Sequence, residues 1–244
     1  FPVRSDRLKE LIHIDVIEET TVESYTPAAV ILPYEVTGEY YVEGVGELDA
    51  KPVYSFFKRF FDIVLSLFAL IVLLIPMLII AVIVKLTSPG SVLYKQERLG
   101  KDGVSFEIIK FRSMYADAES NGAQWSDGEN DERITPFGKF LRRTRMDELP
   151  QFAQILTGKM SLVGPRPERE CFYEKFETYI HGFSERLKVK PGLTGLAQVS
   201  GGYDLRPEEK VVYDIEYIKK RSLWLDLKCM LLTVRIIFSH NGAR

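Results

Sequence analysis

The chain has 244 residues, 46% of them hydrophobic and 27% charged, enough apolar material for a buried core and too much for a disordered tail. Two cysteines, Cys171 and Cys229, without CxxC or Cys/His spacing exclude a disulfide scaffold and a structural zinc, and three scattered histidines exclude a zinc-protease motif. The net charge of −2 hides a division: residues 1–50 carry 11 acidic and 3 basic side chains (−8), residues 51–244 carry 23 and 29 (+6), so the larger part favours phosphate groups or anionic lipid.

Residues 1–53 read as an acidic, β-like extension or linker. Short β-branched runs at His13–Ile17, Thr20–Val22, Ala29–Leu32 and Glu39–Val45 alternate with Pro27, Pro33, Gly38 and Gly44, and the segment is too small for a good core of its own. The chain opens at Phe1 without a Met, which fits either a fragment of a longer protein or a processed form.

From Pro52 a helical pattern runs into Ile63–Val84, 22 residues without a charge. That is long enough, at about 1.5 Å per residue, to cross a hydrocarbon core of about 30 Å. Tyr54, Phe56, Phe57, Phe60 and Phe61 stand with Lys58 and Arg59 where an interfacial belt would lie. Pro76 removes a backbone hydrogen bond and predicts a kink, so the stretch either bends and spans or forms a re-entrant hairpin with arms Ile63–Ile75 and Met77–Val84. Lys58 and Arg59 before it, and Lys85, Lys95 and Arg98 after it, make both flanks cytoplasmic in character; the residues alone leave both topologies open.

Beyond Ser88-Pro89-Gly90 the sequence is globular. SVLYKQERLG and VSFEIIKFRSM predict a β-hairpin about Lys101-Asp102-Gly103, and the polar, acidic segment 116–133 has the profile of a loop or lid. Helices are predicted at about 136–145, 147–158, 167–180 and 207–221, and Leu223–Phe238 reads as an interfacial or a core helix.

The densest chemical pattern is RRTRMDELP, Arg142–Pro150. Thr144-x-x-Asp147 matches a capping box, with Pro150 in a first helical turn, so a plain helix start is one reading. The other is chemical: the adjacent carboxylates Asp147 and Glu148 can share a divalent ion, the arginines can hold phosphate oxygens, and an ionised carboxylate so placed can attack phosphorus. Lys110 and Arg112 alternate in IIKFRSM and so share one strand face. Arg166 sits between Pro165 and Pro167 in a rigid turn, while the Gly-rich segment Val189–Asp204 has neither a phosphate-loop nor a dinucleotide fingerprint and is left as a nucleotide-pocket wall through its backbone amides.

Taken together, KRFFD, SPGSVLYKQERLG, FEIIKFRSM, RRTRMDELPQFAQILTGKMSLVGPRPE, VKPGLTGLAQVSG and SLWLDLKCMLLTVRIIFS closely resemble the bacterial sugar transferase family over about residues 54–244. These are monotopic polyprenyl-phosphate phosphoglycosyl transferases. The resemblance implies an α/β, membrane-embedded fold: a re-entrant helical hairpin (54–88), interfacial amphipathic helices and a small globular catalytic unit (89–244). It implies transfer of a sugar 1-phosphate from a nucleoside diphosphate sugar, usually a UDP-sugar, to undecaprenyl phosphate with release of UMP, opening exopolysaccharide or glycoconjugate assembly. Mg²⁺ is the implied cofactor. Asp147 and Glu148 match the family's dyad, both candidate metal ligands, with Asp147 the nucleophile and Glu148 holding Mg²⁺ or taking a proton. Lys110, Arg112, Arg142 and Arg166 are assigned to the substrate phosphates. The family's usual Ser-Pro helix break is here Ile75-Pro76, and the four transmembrane helices that precede the catalytic unit of long members have no counterpart in residues 1–53.

Expected partners are therefore the UDP-sugar donor, the undecaprenyl phosphate acceptor and membrane lipid, with a homodimer compatible and no nucleic acid. The expected location is the bacterial inner membrane, catalytic unit facing the cytoplasm. The rival readings are a membrane lipid-diphosphate phosphatase using the same dyad and a non-catalytic assembly module in which the Asp-Glu pair merely caps a helix.

Overall fold

A computed structural model describes residues 12–15, 36, 38–118, 131–201 and 205–239, with side chains from residue 36 to residue 237 within those ranges. The expected runs Thr20–Val22 and Ala29–Leu32 and most of the 116–133 loop lie outside the described residues. In chain order the elements are β1 (Ile12–Asp15), β2 (Glu39–Val42), α1 (Pro52–Val72), α2 (Leu74–Thr87), β3 (Leu93–Leu99), β4 (Ser105–Phe111), α3 (Pro136–Arg143), α4 (Gln151–Leu156), β5 (Ser161–Val163), α5 (Glu170–Glu177), β6 (Ile180–His181), β7 (Gly192–Thr194), α6 (Leu196–Ser200), α7 (Pro207–Lys220) and α8 (Leu223–Ser239). Short 3₁₀ turns occupy Lys101–Gly103, Met146–Glu148 and Phe183–Lys188. The fold is mixed, with three small sheets among helices: β1-β2-β6, the antiparallel hairpin β3-β4, and the parallel pair β5-β7.

The hairpin forms where the alternating pattern places it, pairing Leu93 with Phe111 through to Leu99 with Ser105. Its turn puts Asp102 at φ 57° and Gly103 at φ 75°, a left-handed pair that Asp tolerates and Gly adopts freely. Two apolar cores result. The larger gathers Phe172, Phe176, Tyr179, Phe183, Val211, Ile215 and Ile218 from α5, α7 and the turn between them. The smaller joins Ile80 and Val84 of α2 to Phe111 and Leu141.

The residues of the extension that the structure describes lie along the larger core. β2 adds to β6 in parallel, Val45 N donates to Glu185 at 2.7 Å, and Lys219 pairs with Glu43 at 2.5 Å.

The apolar stretch breaks at Leu73, three residues before Pro76, because the proline ring excludes the carbonyl of Val72 and supplies no N–H to it. The arms are therefore 21 and 14 residues long and begin and end elsewhere than the sequence suggests. No single described helix is long and apolar enough to cross a membrane; α1 and α2 together are, and their axes bend by 61°. The two arms meet in an open elbow at this break.

Both outer ends of this elbow are docked on the same globular body. On α1, Arg59 donates to the carbonyls of Ile155 (2.6 Å) and Leu156 (2.7 Å) at the end of α4, and Asp62 accepts from Leu162 N (2.9 Å) and Ser161 Oγ (3.1 Å). Lys58 reaches Val163 O (2.9 Å) and Asp226 of α8 (3.0 Å), which also accepts from Tyr54 (3.1 Å). On α2, Ile80 and Val84 are buried in the smaller core. Lys58 and Arg59 thus point inward, where helix-end carbonyls and a buried carboxylate hold them, and do not join the aromatic belt. Phe56, Phe57, Phe60 and Phe61 remain outward, and Phe68, Ile71, Ile75 and Leu78 are exposed on either side of the elbow.

Pro76→Ala restores a donor to Val72 and is expected to straighten the elbow. Spin labels at Val64 and Ile79 should then move apart toward the roughly 22 Å of a straight helix at about 1.5 Å per residue; an unchanged distance would assign the bend to packing.

Candidate active site

The segment 135–151 builds the site from local rules. Thr135 caps α3, its hydroxyl accepting Gly138 N at 2.9 Å, and Pro136 starts the helix with its φ already set. Thr144 closes α3, donating its hydroxyl to the Phe140 (2.8 Å) and Leu141 (3.2 Å) carbonyls. It does not open a capping box for the next helix: no side chain caps the 3₁₀ turn Met146–Glu148, and α4 begins only at Gln151, with Pro150 in the position before it. The reason is Arg145, which turns left-handed at φ 58° and redirects the chain between the helices.

That sharp turn aims Asp147 and Glu148 into the body, where they are 6% and 4% exposed. Glu148 takes the cations: Arg166 at 2.5 Å and Lys110 at 3.3 Å on one oxygen, Arg145 at 3.9 Å on the other. Burial alone would raise its pKa, but these charges hold the carboxyl well below its usual range. Asp147 has no ion pair of its own among the described residues. Burial, then the adjacent Glu148 charge, push it up to about 6, against the pull of Lys110, Arg142 and Arg166. Two neighbouring carboxylates therefore behave oppositely, Glu148 holding its charge and Asp147 gaining affinity for a proton.

Of the predicted site residues, the structure brings Lys110, Arg142, Asp147, Glu148 and Arg166 together, with Arg142 held through Nε to Ser113 Oγ at 3.1 Å. Arg112 is placed elsewhere. β4 ends at Phe111, so the strand alternation that would align Arg112 with Lys110 has lapsed, and its guanidinium turns to the end of α2. Part of the Gly-rich segment is tied to the Pro-Arg-Pro turn, and its residues 202–204 lie outside the described residues. Gly192 N donates to Pro165 O and Gly164 N to Thr194 O, both at 2.9 Å, which clamps the Pro-Arg-Pro turn against β7. Side chains at Gly164, Gly192 or Gly195 would collide with the facing backbone.

Three supporting residues escaped the sequence. Arg186, paired with Asp214 at 2.8 Å in full burial, donates to Arg166 O at 2.9 Å. Arg98 donates to Pro167 O at 3.2 Å and Glu168 at 2.7 Å, and Asp131 grips Arg133 at 2.6 and 2.7 Å beside Arg142. Arg186 and Arg98 are distant in sequence from what they support, so no local pattern marks them.

A family profile described as bacterial sugar transferase matches residues 53–240. The chain belongs to the bacterial sugar transferase family. It is 43% identical over 203 residues, 82% of this chain and 48% of the relative, to the UDP-N-acetylgalactosamine-undecaprenyl-phosphate N-acetylgalactosaminephosphotransferase of Aeromonas hydrophila. It is 37% identical over 253 residues, 97% of this chain and 53% of the relative, to the UDP-glucose:undecaprenyl-phosphate glucose-1-phosphate transferase of Escherichia coli K12. The Klebsiella pneumoniae protein of the latter name is 45% identical over 192 residues, 77% of this chain and 41% of the relative. The chain spans about half the length of these sugar transferase relatives.

The raised Asp147 carboxyl makes a stability prediction. A carboxyl at 3.8 unfolded and about 6 folded binds its proton more tightly when folded, so its share of stability is lost as pH rises from about 4 through 6. The cost at neutral pH is of the order of 3 kcal/mol. Asp147→Asn is therefore expected to raise Tm at pH 7.5, the gain shrinking toward pH 4; thermal scans in detergent check it, and a lower Tm at pH 7.5 contradicts the charge assignment.

Proposed function

We propose that this chain is the catalytic unit of a phosphoglycosyl transferase that moves a sugar 1-phosphate from a UDP-sugar to undecaprenyl phosphate, the initiating step of exopolysaccharide or glycoconjugate assembly. The observation that carries this reading is the buried Asp147, without an ion pair among the described residues, beside Glu148, with Lys110, Arg142 and Arg166 converging on them. The printed activities of the relatives name the donor and acceptor classes.

The reaction runs as two displacements. An Asp147 oxygen attacks the sugar-linked phosphorus; an O–P bond forms to the carboxylate, the diphosphate bridge breaks, and its electron pair leaves on UMP. An oxygen of undecaprenyl phosphate then attacks the same phosphorus, the Asp147–P bond breaks, and the carboxylate is regenerated. Lys110, Arg142 and Arg166 offset the charge on the phosphoryl oxygens. Glu148 is unsuited to accept a proton, being held ionised by three cations; its part is to fix Arg166 and Lys110 beside the phosphorus.

Mg²⁺ fits this site. It keeps much of its water and takes one or two carboxylates plus substrate phosphates, and Asp147 offers an uncommitted carboxylate. No group of three or more His, Cys, Asp or Glu able to hold a metal occurs among the described residues, so donor oxygens would complete the shell. Bound there, the ion would neutralise diphosphate charge.

The elbow supports a re-entrant membrane arrangement. Both outer ends dock on one globular body, so the break at Leu73 is the far point and enters the bilayer, with residues 38–53 and 89–239 on one, cytoplasmic face of the inner membrane. This rests on docking and not on charged flanks, because Lys58, Arg59, Lys95 and Arg98 all have protein partners.

Two experiments test the reading. With the correct UDP-sugar and Mg²⁺ but no lipid acceptor, one UMP per site should appear in a burst, accompanied by a phosphosugar adduct in the intact mass; Asp147→Asn should lack both. The rate should fall on the acid side, since Asp147 must be ionised to attack. An active enzyme with neither adduct nor burst would make the transfer a single displacement, and release of inorganic phosphate without lipid-linked sugar would point to the phosphatase. For topology, cysteines engineered at Asp49 and Asp102 should both resist an impermeant thiol reagent applied to intact cells; labelling of one alone would restore a spanning helix.

A further inference from the structure

Arg112 is 8% exposed and commits its guanidinium to the exit of α2: Nη2 donates to Ser88 O at 2.6 Å and Val84 O at 3.4 Å, and Nη1 to Pro89 O at 2.8 Å. These carbonyls lie at the end of a helix, where they lack intrahelical partners and carry partial negative charge. Its own N–H donates to Val92 O at 2.9 Å, so a single residue ties down both sides of the Ser88–Val92 turn. Gly90 sits under the guanidinium at φ +113°, and a side-chain carbon there would collide with Nη1.

The next residue leads to the dyad. Ser113 Oγ accepts Arg142 Nε at 3.1 Å, and its carbonyl accepts Thr135 N at 3.0 Å and Thr135 Oγ1 at 3.3 Å. Thr135 is the cap of α3, and Gly138 in the first turn of α3 packs directly on the Ser113 carbonyl, leaving no room for a side chain. One peptide unit therefore separates the fixture of the apolar helix from the fixture of an active-site arginine.

We propose that Arg112 is a positioning residue: it ties the exit of α2 to the backbone at Ser113 and thereby sets where Arg142 meets the transferred phosphoryl group. The proposal rests on the phosphoglycosyl transferase reading for its kinetic arm. A direct phosphate contact by Arg112 would require its guanidinium to abandon three carbonyls, leaving buried acceptors unsatisfied. A displacement of a catalytic group by about 1 Å costs on the order of 10²-fold in rate, so slack at Ser113 is sufficient to be measured.

The test uses the full chain in lipid nanodiscs, with UMP release followed by quenched flow. Arg112→Gln is expected to slow the release rate about 10–100-fold while burst amplitude per enzyme is retained, since amplitude counts competent sites and a fold defect lowers it. Arg112→Lys should recover part of the rate. Gly90→Ala should reproduce the loss with the Arg112 charge intact. In the background of Arg142→Gln, Arg112→Gln should slow release no further, because it acts through Arg142. Equal slowing in both backgrounds, a normal rate for Gly90→Ala beside a slow Arg112→Gln, or lost amplitude at an unchanged rate would each overturn the proposal. If the wild-type chain releases no UMP, the transferase reading fails, and amide exchange at Thr135 and Gly138 still decides: faster in Arg112→Gln upholds the tie, unchanged overturns it.

Discussion

The capture of Glu148 by Arg166, Lys110 and Arg145 is the interaction on which the site depends. A buried carboxylate without partners protonates or costs several kcal/mol. By absorbing the cations, Glu148 remains ionised and leaves Asp147 beside it with burial and a like charge, which raise its affinity for a proton. The pair is thus divided into an organiser and a free carboxylate. This inequality comes from the left-handed step at Arg145, which sends both side chains inward and brings the guanidinium of that same residue back over Glu148.

Holding Arg166 at that place is the work of much of the remaining fold. The Pro-Arg-Pro turn restricts its own backbone, and it is clamped by pairing with β7, by Arg186 from the 3₁₀ turn Phe183–Lys188, and by Arg98 from the hairpin. Arg186 is itself in a fully buried pair with Asp214. Such pairs add little net stability, but removing one partner is costly, and here the geometry makes the pair a brace for the Arg166 carbonyl.

The apolar elbow meets this body through polar contacts. Tyr54, Lys58, Arg59 and Asp62 face inward along α1 while Phe56, Phe57, Phe60 and Phe61 face out, so one helix presents a hydrogen-bonding face to protein and an apolar face to its surroundings. Polar contacts in surroundings of low dielectric are strong and directional. They fix the outer part of α1, and Arg112 does the same for the exit of α2, so the two arms carry their orientation into the globular body at separate points.

Local and periodic properties were readable from the sequence alone. The alternating hairpin strands and the helix starts at Pro136 and Pro207 are set by side-chain chemistry within a few residues, and they appear where expected. Pro76 marked a break, but its place at Leu73 follows from which carbonyl the ring excludes. What only the tertiary structure decided is which charge meets which. Arg112 and Lys110 alternate along the sequence, yet the strand ends between them and they serve different ends of the molecule. Thr144 has the spacing of an N-cap and closes the preceding helix instead. Arg98, Arg186 and Asp214 carry no local mark. A charged side chain is long and flexible, and its partner is selected by burial and by carbonyls brought near through long-range packing, which no periodicity along the chain records.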